Sequence, residues 1–125
     1  MENEISRAVV DVAFNIHTKL GPGLFESVYE TIMEYELIHK YGFDIKRQFP
    51  IPVVWEDVAL ELGFRADLII ENKVIIEIKS IDKLAPVHFK QVLTYLKLTE
   101  LKLGLLINFG EGLIKDGIKR VVNKL

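Results

Sequence analysis

The sequence predicts an α/β fold, a mixed β-sheet core flanked by helices in the order α-α-β-β-β-β-α-β. Three observations carry that prediction. Residues 3–41 read as two helices with apolar positions at helical spacing. Residues 66–70, 74–78 and 103–109 are nearly continuous apolar runs, as strands buried on both faces are. A helical pattern opened by Pro86 separates the last two runs, which makes it a crossover between parallel neighbours, expected to be right-handed.

The first helix rests on Ile5, Ala8, Val9, Val12, Ile16 and Leu20, one stripe at helical spacing. Gly21-Pro22-Gly23 ends it and turns the chain. Leu24 to about Tyr41 reads as the second helix, with Leu24, Val28, Ile32, Met33, Tyr35 and Leu37 as its stripe and Gly42 as its stop. The texture then changes. Ile45, Phe49, Ile51, Val53 and Trp55 alternate with mostly polar or proline neighbours, the period of a strand. Pro50 and Pro52 place that strand at a sheet edge, because proline has no N–H to give a ladder. Glu56-Asp57 suits a turn, and Ala59 to Phe64 a return strand. Ala66 to Ile70 and Val74 to Ile78 follow as two buried strands. Pro86 fits the first turn of a third helix that runs to about Thr99. Leu103 to Phe109 is the last buried strand. The tail, Leu113 to Leu125, reads equally as a short helix or a strand, and Gly112 and Gly117 weaken both.

Composition bounds the function. The chain has 125 residues, 50% hydrophobic and 27% charged, enough apolar material for one packed domain spanning 1–125. It has no cysteine, which excludes a disulfide framework, Cys-ligated zinc, an iron–sulfur cluster and a thiol nucleophile. The opening Met1-Glu2-Asn3-Glu4 is acidic where a signal peptide is basic, and no apolar run approaches the roughly 18 residues of a membrane span. The expectation is a cytoplasmic protein with no membrane association. Charge is divided unevenly: residues 1–62 carry five bases against eleven acids, and residues 63–125 carry eleven against seven. An overall basic footprint for nucleic acid is missing, while a local basic face from the second half is available.

Charged residues within buried strands require an explanation, because an unpaired buried charge is unfavourable. Asp67 opens one apolar strand, and Glu77 and Lys79, two residues apart, share a face of the next. Whether Asp67 joins them depends on register. A two-residue turn at Asn72-Lys73 pairs Asp67 with Ile78 and separates the acids. A three-residue turn, Glu71-Asn72-Lys73, pairs Ile70 with Val74 and sets Asp67 opposite Glu77. We expect the three-residue turn, since it lets two carboxylates and an ammonium satisfy one another. Two adjacent carboxylates favour a shared proton or a divalent cation, and hard oxygen donors with open positions suit Mg²⁺ or Mn²⁺. A nearby lysine adds a group able to orient water or stabilise charge on phosphorus. The other reading of the pattern is a buried interstrand ion pair.

Further polar residues fall on the helices. Glu26 lies near the start of the second helix, with Tyr29 on the same face. Gln91 and Tyr95 stand i,i+4 on the third, an amide and a phenol within an apolar stripe. Each alone has an ordinary structural explanation. Glu26 suits a helix N-terminus, and the other three suit half-exposed helix positions.

Taken together these residues resemble a family. Gly23-Leu24-Phe25-Glu26-Ser27-Val28-Tyr29 is similar to the signature of the small bacterial and archaeal GxxExxY proteins. Arg65-Ala66-Asp67-Leu68-Ile69, Ile76-Glu77-Ile78-Lys79, Gln91-Val92-Leu93-Thr94-Tyr95 and Leu105-Leu106-Ile107-Asn108-Phe109-Gly110 follow in that family's order, so the resemblance covers nearly the whole chain. The family is placed in the PD-(D/E)xK nuclease superfamily, and the Gln-x-x-x-Tyr element is similar to that of RecB-like exonucleases. The resemblance implies a restriction-endonuclease-like fold with a four-stranded mixed sheet core. By motif position it implies Asp67 and Glu77 as metal ligands and Lys79 as the water-activating residue. It implies Glu26 as a helix carboxylate in the inner or outer shell of the metal. Gln91 and Tyr95 are implied to position the nucleic-acid backbone or Lys79, and Tyr29 to help position substrate. Ala66 stands where the superfamily's name has proline, a departure this family commonly shows.

Other features carry less. His17 and His39 read as surface histidines, and His88, three residues before Gln91, could share its face. Phe49 and Trp55 read as core or edge packing rather than base-stacking groups. The glycines form no phosphate-binding loop. Two functions follow as expectations. The first is a Mg²⁺- or Mn²⁺-dependent nuclease acting on DNA, with RNA as the alternative. The second is a catalytically weak or inactive binding module for nucleic acid or protein on the same fold. A homodimer would enlarge the basic face in either case.

Overall fold

The computed structural model describes residues 1–125. Helix α1 (Glu2–Leu20) buries Ile5, Ala8, Val9, Val12 and Ile16 of the predicted stripe and adds Ala13, while Leu20, at the helix end, is exposed. Gly21 ends it with a left-handed φ of 71°, and its N–H donates to the His17 carbonyl at 2.8 Å. Helix α2 (Glu26–Tyr41) begins two residues later than the apolar pattern suggests. The cause is a hydrogen bond: the Leu24 N–H donates to the Tyr29 hydroxyl at 3.1 Å, which holds residue 24 outside the helix. The buried line of α2 is Tyr29, Met33 and Leu37, with Glu30 beside it; Leu24, Val28 and Tyr35 of the expected stripe are exposed.

The strands are β1 (Ile45–Pro50), β2 (Val53–Trp55), β3 (Val58–Leu60), β4 (Arg65–Ile70) and β5 (Val74–Lys79). After helix α3 (Pro86–Thr99) come β6 (Leu103–Asn108), the single turn α4 (Ile114–Gly117) and β7 (Ile118–Val122). Five strands form one mixed sheet in the order β1-β4-β5-β6-β7, so the α/β class and the mixed sheet hold. Strands β5 and β6 are parallel, joined by α3, as the crossover reading requires.

The predicted strand order differs in detail. The alternating segment 45–55 is two strands. Strand β1 is a sheet edge, but its partner is β4, and the predicted return strand 59–64 does not join the sheet. The chain leaves after Pro50, and the Ile51 N–H bonds the Phe64 carbonyl at 2.8 Å, closing an excursion. Within it β2 and β3 form a separate hairpin whose strand residues are mostly exposed. Trp55 lies on that hairpin at 66% exposure, so its expected burial in a core or edge is corrected. The prolines explain the break, since neither Pro50 nor Pro52 can donate to a continuing ladder. The tail resolves both ways: one helical turn, then β7 antiparallel to β6.

Two apolar clusters cover the two faces of the sheet. Helices α1 and α2 pack with Leu68, Ile70, Val74, Ile76, Ile78, Leu103, Leu105 and Ile107. Helix α3 packs through Val92, Tyr95 and Leu96 on Ala66, Ile69, Ile75 and Leu106. Each buried aliphatic side chain contributes about 1.5–3 kcal/mol, so the central strands are firmly held up to the ends that carry charge.

Candidate metal centre and active site

The register question is decided at the β4–β5 turn. Ile70 pairs with Val74, Ile69 with Ile75 and Leu68 with Ile76, the three-residue turn. Glu71 and Asn72 take left-handed φ values of 54° and 53°, and the Lys73 N–H closes the turn on the Ile70 carbonyl at 2.9 Å. Asn72 tolerates that conformation readily. Glu71 is held in it by Asp44: its N–H donates to the Asp44 carbonyl at 2.8 Å, and its Oε2 accepts from the Asp44 N–H at 2.6 Å.

Beyond Leu68 and Ile76 the regular pairing stops, and carboxylates replace ladder carbonyls. The Ile78 N–H donates to Asp67 Oδ2 at 2.8 Å, and the Asp67 N–H donates to Glu77 Oε1 at 3.3 Å. Both acids are therefore built into the sheet itself. The side-chain alternation also slips here. Leu68 and Ile70 face α1 and α2, whereas Ala66 and Ile69 face α3, so Asp67 sits where the pleat changes phase.

Glu77 is 4% exposed. Burial pushes its carboxyl up to about 9, with the negative charge of Asp67 and a hydrogen bond between the two carboxyl groups acting in the same direction. Lys79 lies close enough to oppose that rise through its charge, but its ammonium forms no ion pair with either acid, so the expected mutual satisfaction of two carboxylates and an ammonium is corrected to a longer-range attraction. Without a cation the pair therefore keeps a proton at neutral pH, one of the two ways adjacent carboxyl groups relieve their repulsion. Two adjacent hard oxygen donors fit a divalent cation of the Mg²⁺ or Mn²⁺ type, which retains water in its remaining positions. No third Asp, Glu or His joins them in a ready-made ligand set.

The other predicted residues are distributed around this pair. Tyr95 is buried on α3, and burial followed by the charge of Glu77 raises its phenol. Gln91 donates from Nε2 to the Tyr95 hydroxyl at 3.0 Å, so the two form one unit on the α3 side of Glu77. Glu26 is exposed, and its Oε2 accepts from the Ser80 N–H at 3.1 Å. Ser80 Oγ donates to the Leu24 carbonyl at 2.6 Å, and together these bonds tie the start of α2 to the end of β5. Tyr29 is fully buried, so a substrate contact is corrected to a structural role. Its ring stacks on Phe109 with centroids 4.2 Å apart, and its hydroxyl donates to the Gly21 carbonyl at 2.7 Å. His88 caps its own helix, with Nδ1 accepting from the Ala85 N–H at 2.9 Å.

Four residues for which the sequence predicts no role shape the site: Gln48, Glu30, Arg47 and Asn108. Gln48 Nε2 donates to Asp67 Oδ1 at 3.1 Å and to Glu30 Oε1 at 2.8 Å. Glu30 is 6% exposed; burial raises its carboxyl, the charge of Asp67 adds to that, and bonds from Arg47 and Gln48 pull it down. Arg47 binds Glu30 Oε2 through Nε at 2.6 Å, and also reaches Thr31 and Glu34. Glu30 follows directly on Tyr29 and was open to notice as an acid beside a buried position. Nothing in the local spacing marked Gln48. Asn108, fully buried, clamps the chain after Lys79: Oδ1 accepts from the Ile81 N–H at 3.0 Å and Nδ2 donates to the Ile81 carbonyl at 2.9 Å.

Residues 3–121 match the family model described as the PD-(D/E)XK nuclease superfamily. No curated protein and no solved structure matches the chain.

Proposed function

Because this chain belongs to the PD-(D/E)XK nuclease superfamily, we propose that it is a metal-dependent nuclease that hydrolyses phosphodiester bonds in DNA, with RNA as the alternative substrate. Within the superfamily we place it with the GxxExxY proteins, on the segment from Gly23 to Tyr29 and the motifs that follow it. The observation that carries the reading is the Asp67–Glu77 pair, two carboxyl groups replacing ladder carbonyls near a lysine whose ammonium forms no ion pair.

Asp67 and Glu77 would hold the cation. A bound Mg²⁺ or Mn²⁺ supplies charge neutralisation at the phosphate and an acidified water. Lys79 extends from the same face of β5 as Glu77, where its ammonium hydrogen-bonds the attacking water and offsets charge gathering on the phosphate oxygens. Gln91 and Tyr95 support the other side of Glu77: the half-buried Gln91 amide is the group offered to the phosphate backbone, and the buried Tyr95 hydroxyl holds it in place. Glu26 fixes the turn after Lys79 through Ser80. The test is cleavage of single-stranded, duplex and branched DNA and of RNA, with Mg²⁺ or Mn²⁺, beside Lys79→Ala. We expect cleavage that the substitution reduces about a hundredfold. A folded wild-type protein that cleaves none of these substrates would sink the reading in favour of a binding module, on this fold and without catalysis.

A further inference from the structure

Seven non-glycine residues have positive φ, and Gln48, at 50°, is the one that lies inside a strand of the sheet; the others occupy turns, a helix end or the tail. A γ-unbranched amide side chain has no intrinsic preference for that region, so the surrounding structure imposes it. The neighbours stay in register: Arg47 opposes Leu68, and Phe49 opposes Ala66. Only the Gln48–Asp67 position departs from the pairing.

The departure has a geometric consequence. In a regular strand, consecutive side chains point to opposite faces. Here Arg47 and Gln48 both bond the same carboxylate, Glu30, at 2.6 and 2.8 Å. The left-handed turn of one residue is what brings both side chains to it. The same Gln48 amide nitrogen then reaches Asp67 Oδ1, while Asp67 Oδ2 is taken by the Ile78 N–H. Each oxygen of Asp67 has a donor in place, and the two together set the orientation of the carboxylate. A second anchor, the Arg65 guanidinium on the Gln48 carbonyl at 3.3 Å, holds the strained backbone in place.

We propose that Gln48 is a positioning residue, whose amide locks the Asp67 carboxylate in the orientation that receives a divalent cation and braces it through Glu30 and Arg47 against α2. The chemistry explains the residue type. An amide donates without adding charge, so it orients Asp67 and leaves its negative charge for the metal. A lysine or arginine in its place would neutralise Asp67 and compete with the cation. This inference rests on the metal-site reading of Asp67 and Glu77.

The test is Mn²⁺ binding, followed by electron paramagnetic resonance, with thermal melting of the same apo proteins. Gln48→Gly and Gln48→Ala both remove the amide, and glycine alone accepts the backbone. We expect both variants to bind Mn²⁺ about tenfold more weakly than wild type. We expect the glycine variant to melt above the alanine variant, and kcat to fall in both with KM unchanged. Loss of metal affinity in the better-folded glycine variant separates positioning from simple destabilisation. Asp67→Asn is the reference: if it loses Mn²⁺ while Gln48→Gly binds like wild type, the role of Gln48 is overturned and the metal site stands. If Asp67→Asn binds Mn²⁺ as wild type does, the metal-site reading itself fails, and this inference with it.

Discussion

A carboxyl group such as Glu77, buried against a second acid and raised to about 9, makes the metal-free protein sensitive to pH in a definite direction. An unfolded glutamate ionises near 4.3. Between that value and about 9 the folded chain keeps a proton that the unfolded chain releases, so unfolding becomes easier as pH rises. Stability contributed by the protonated form is complete below the unfolded value and is lost as pH climbs through the folded one. Glu77→Gln keeps the shape and removes the titration. We expect this variant, free of metal, to be more stable than wild type at pH 8 by a few kcal/mol, with a flatter dependence on pH. Urea unfolding at pH 5 and pH 8 measures it, and a wild-type slope that the substitution leaves unchanged would contradict the burial argument. The residue types at this site were legible in the sequence, because Asp67, Glu77 and Lys79 interrupt runs that are otherwise apolar. Gln48 was not, since its importance comes from a backbone angle and from a partner on another element.

Among the elements, the link between β5 and β6 matters most for the site. Lys79 ends β5, its carbonyl accepts from the Phe109 N–H at 2.8 Å, and Asn108 then grips Ile81 from both sides. Asn108 Oδ1 also accepts from the Gly110 N–H at 3.0 Å. A Cβ at Gly110 would overlap the Ile81 backbone, so the close approach requires glycine there. Replacing Asn108 by alanine leaves half-buried backbone groups at Ile81 and Gly110 without these partners. The expected loss is roughly 3 kcal/mol of stability, together with weaker activity from a displaced Lys79; chemical denaturation gives the first and cleavage rates the second. A change below roughly half a kcal/mol would show that the clamp is dispensable. At this scale the long periodic segments were readable: α1, α3, and strands β4, β5 and β6 lie where spacing and apolar runs put them. Residues 51–64 were not, because alternation alone cannot tell a sheet strand from a two-stranded hairpin standing outside the sheet. Pro50 and Pro52 were the physical signal, and they mark a departure as well as an edge.

At the scale of the molecule, the sheet is packed on both faces, and its regular pairing gives way at the ends of β4 and β5, where the charged groups emerge. Helix α2 reaches that place from one side through Glu30, and α3 from the other through Tyr95. No helix is long and apolar enough to cross a membrane. The architecture therefore sets a buried Glu77 with the half-buried Asp67 and Lys79 where the sheet's regular pairing stops, and a divalent cation is proposed to work there. The most direct test is the single-turnover cleavage rate, on the best substrate found, as Mg²⁺ is titrated against wild type and Asp67→Asn. We expect a rate that saturates with Mg²⁺ in the wild type and falls about a thousandfold in the variant. Equal rates in the two proteins across the titration would contradict it.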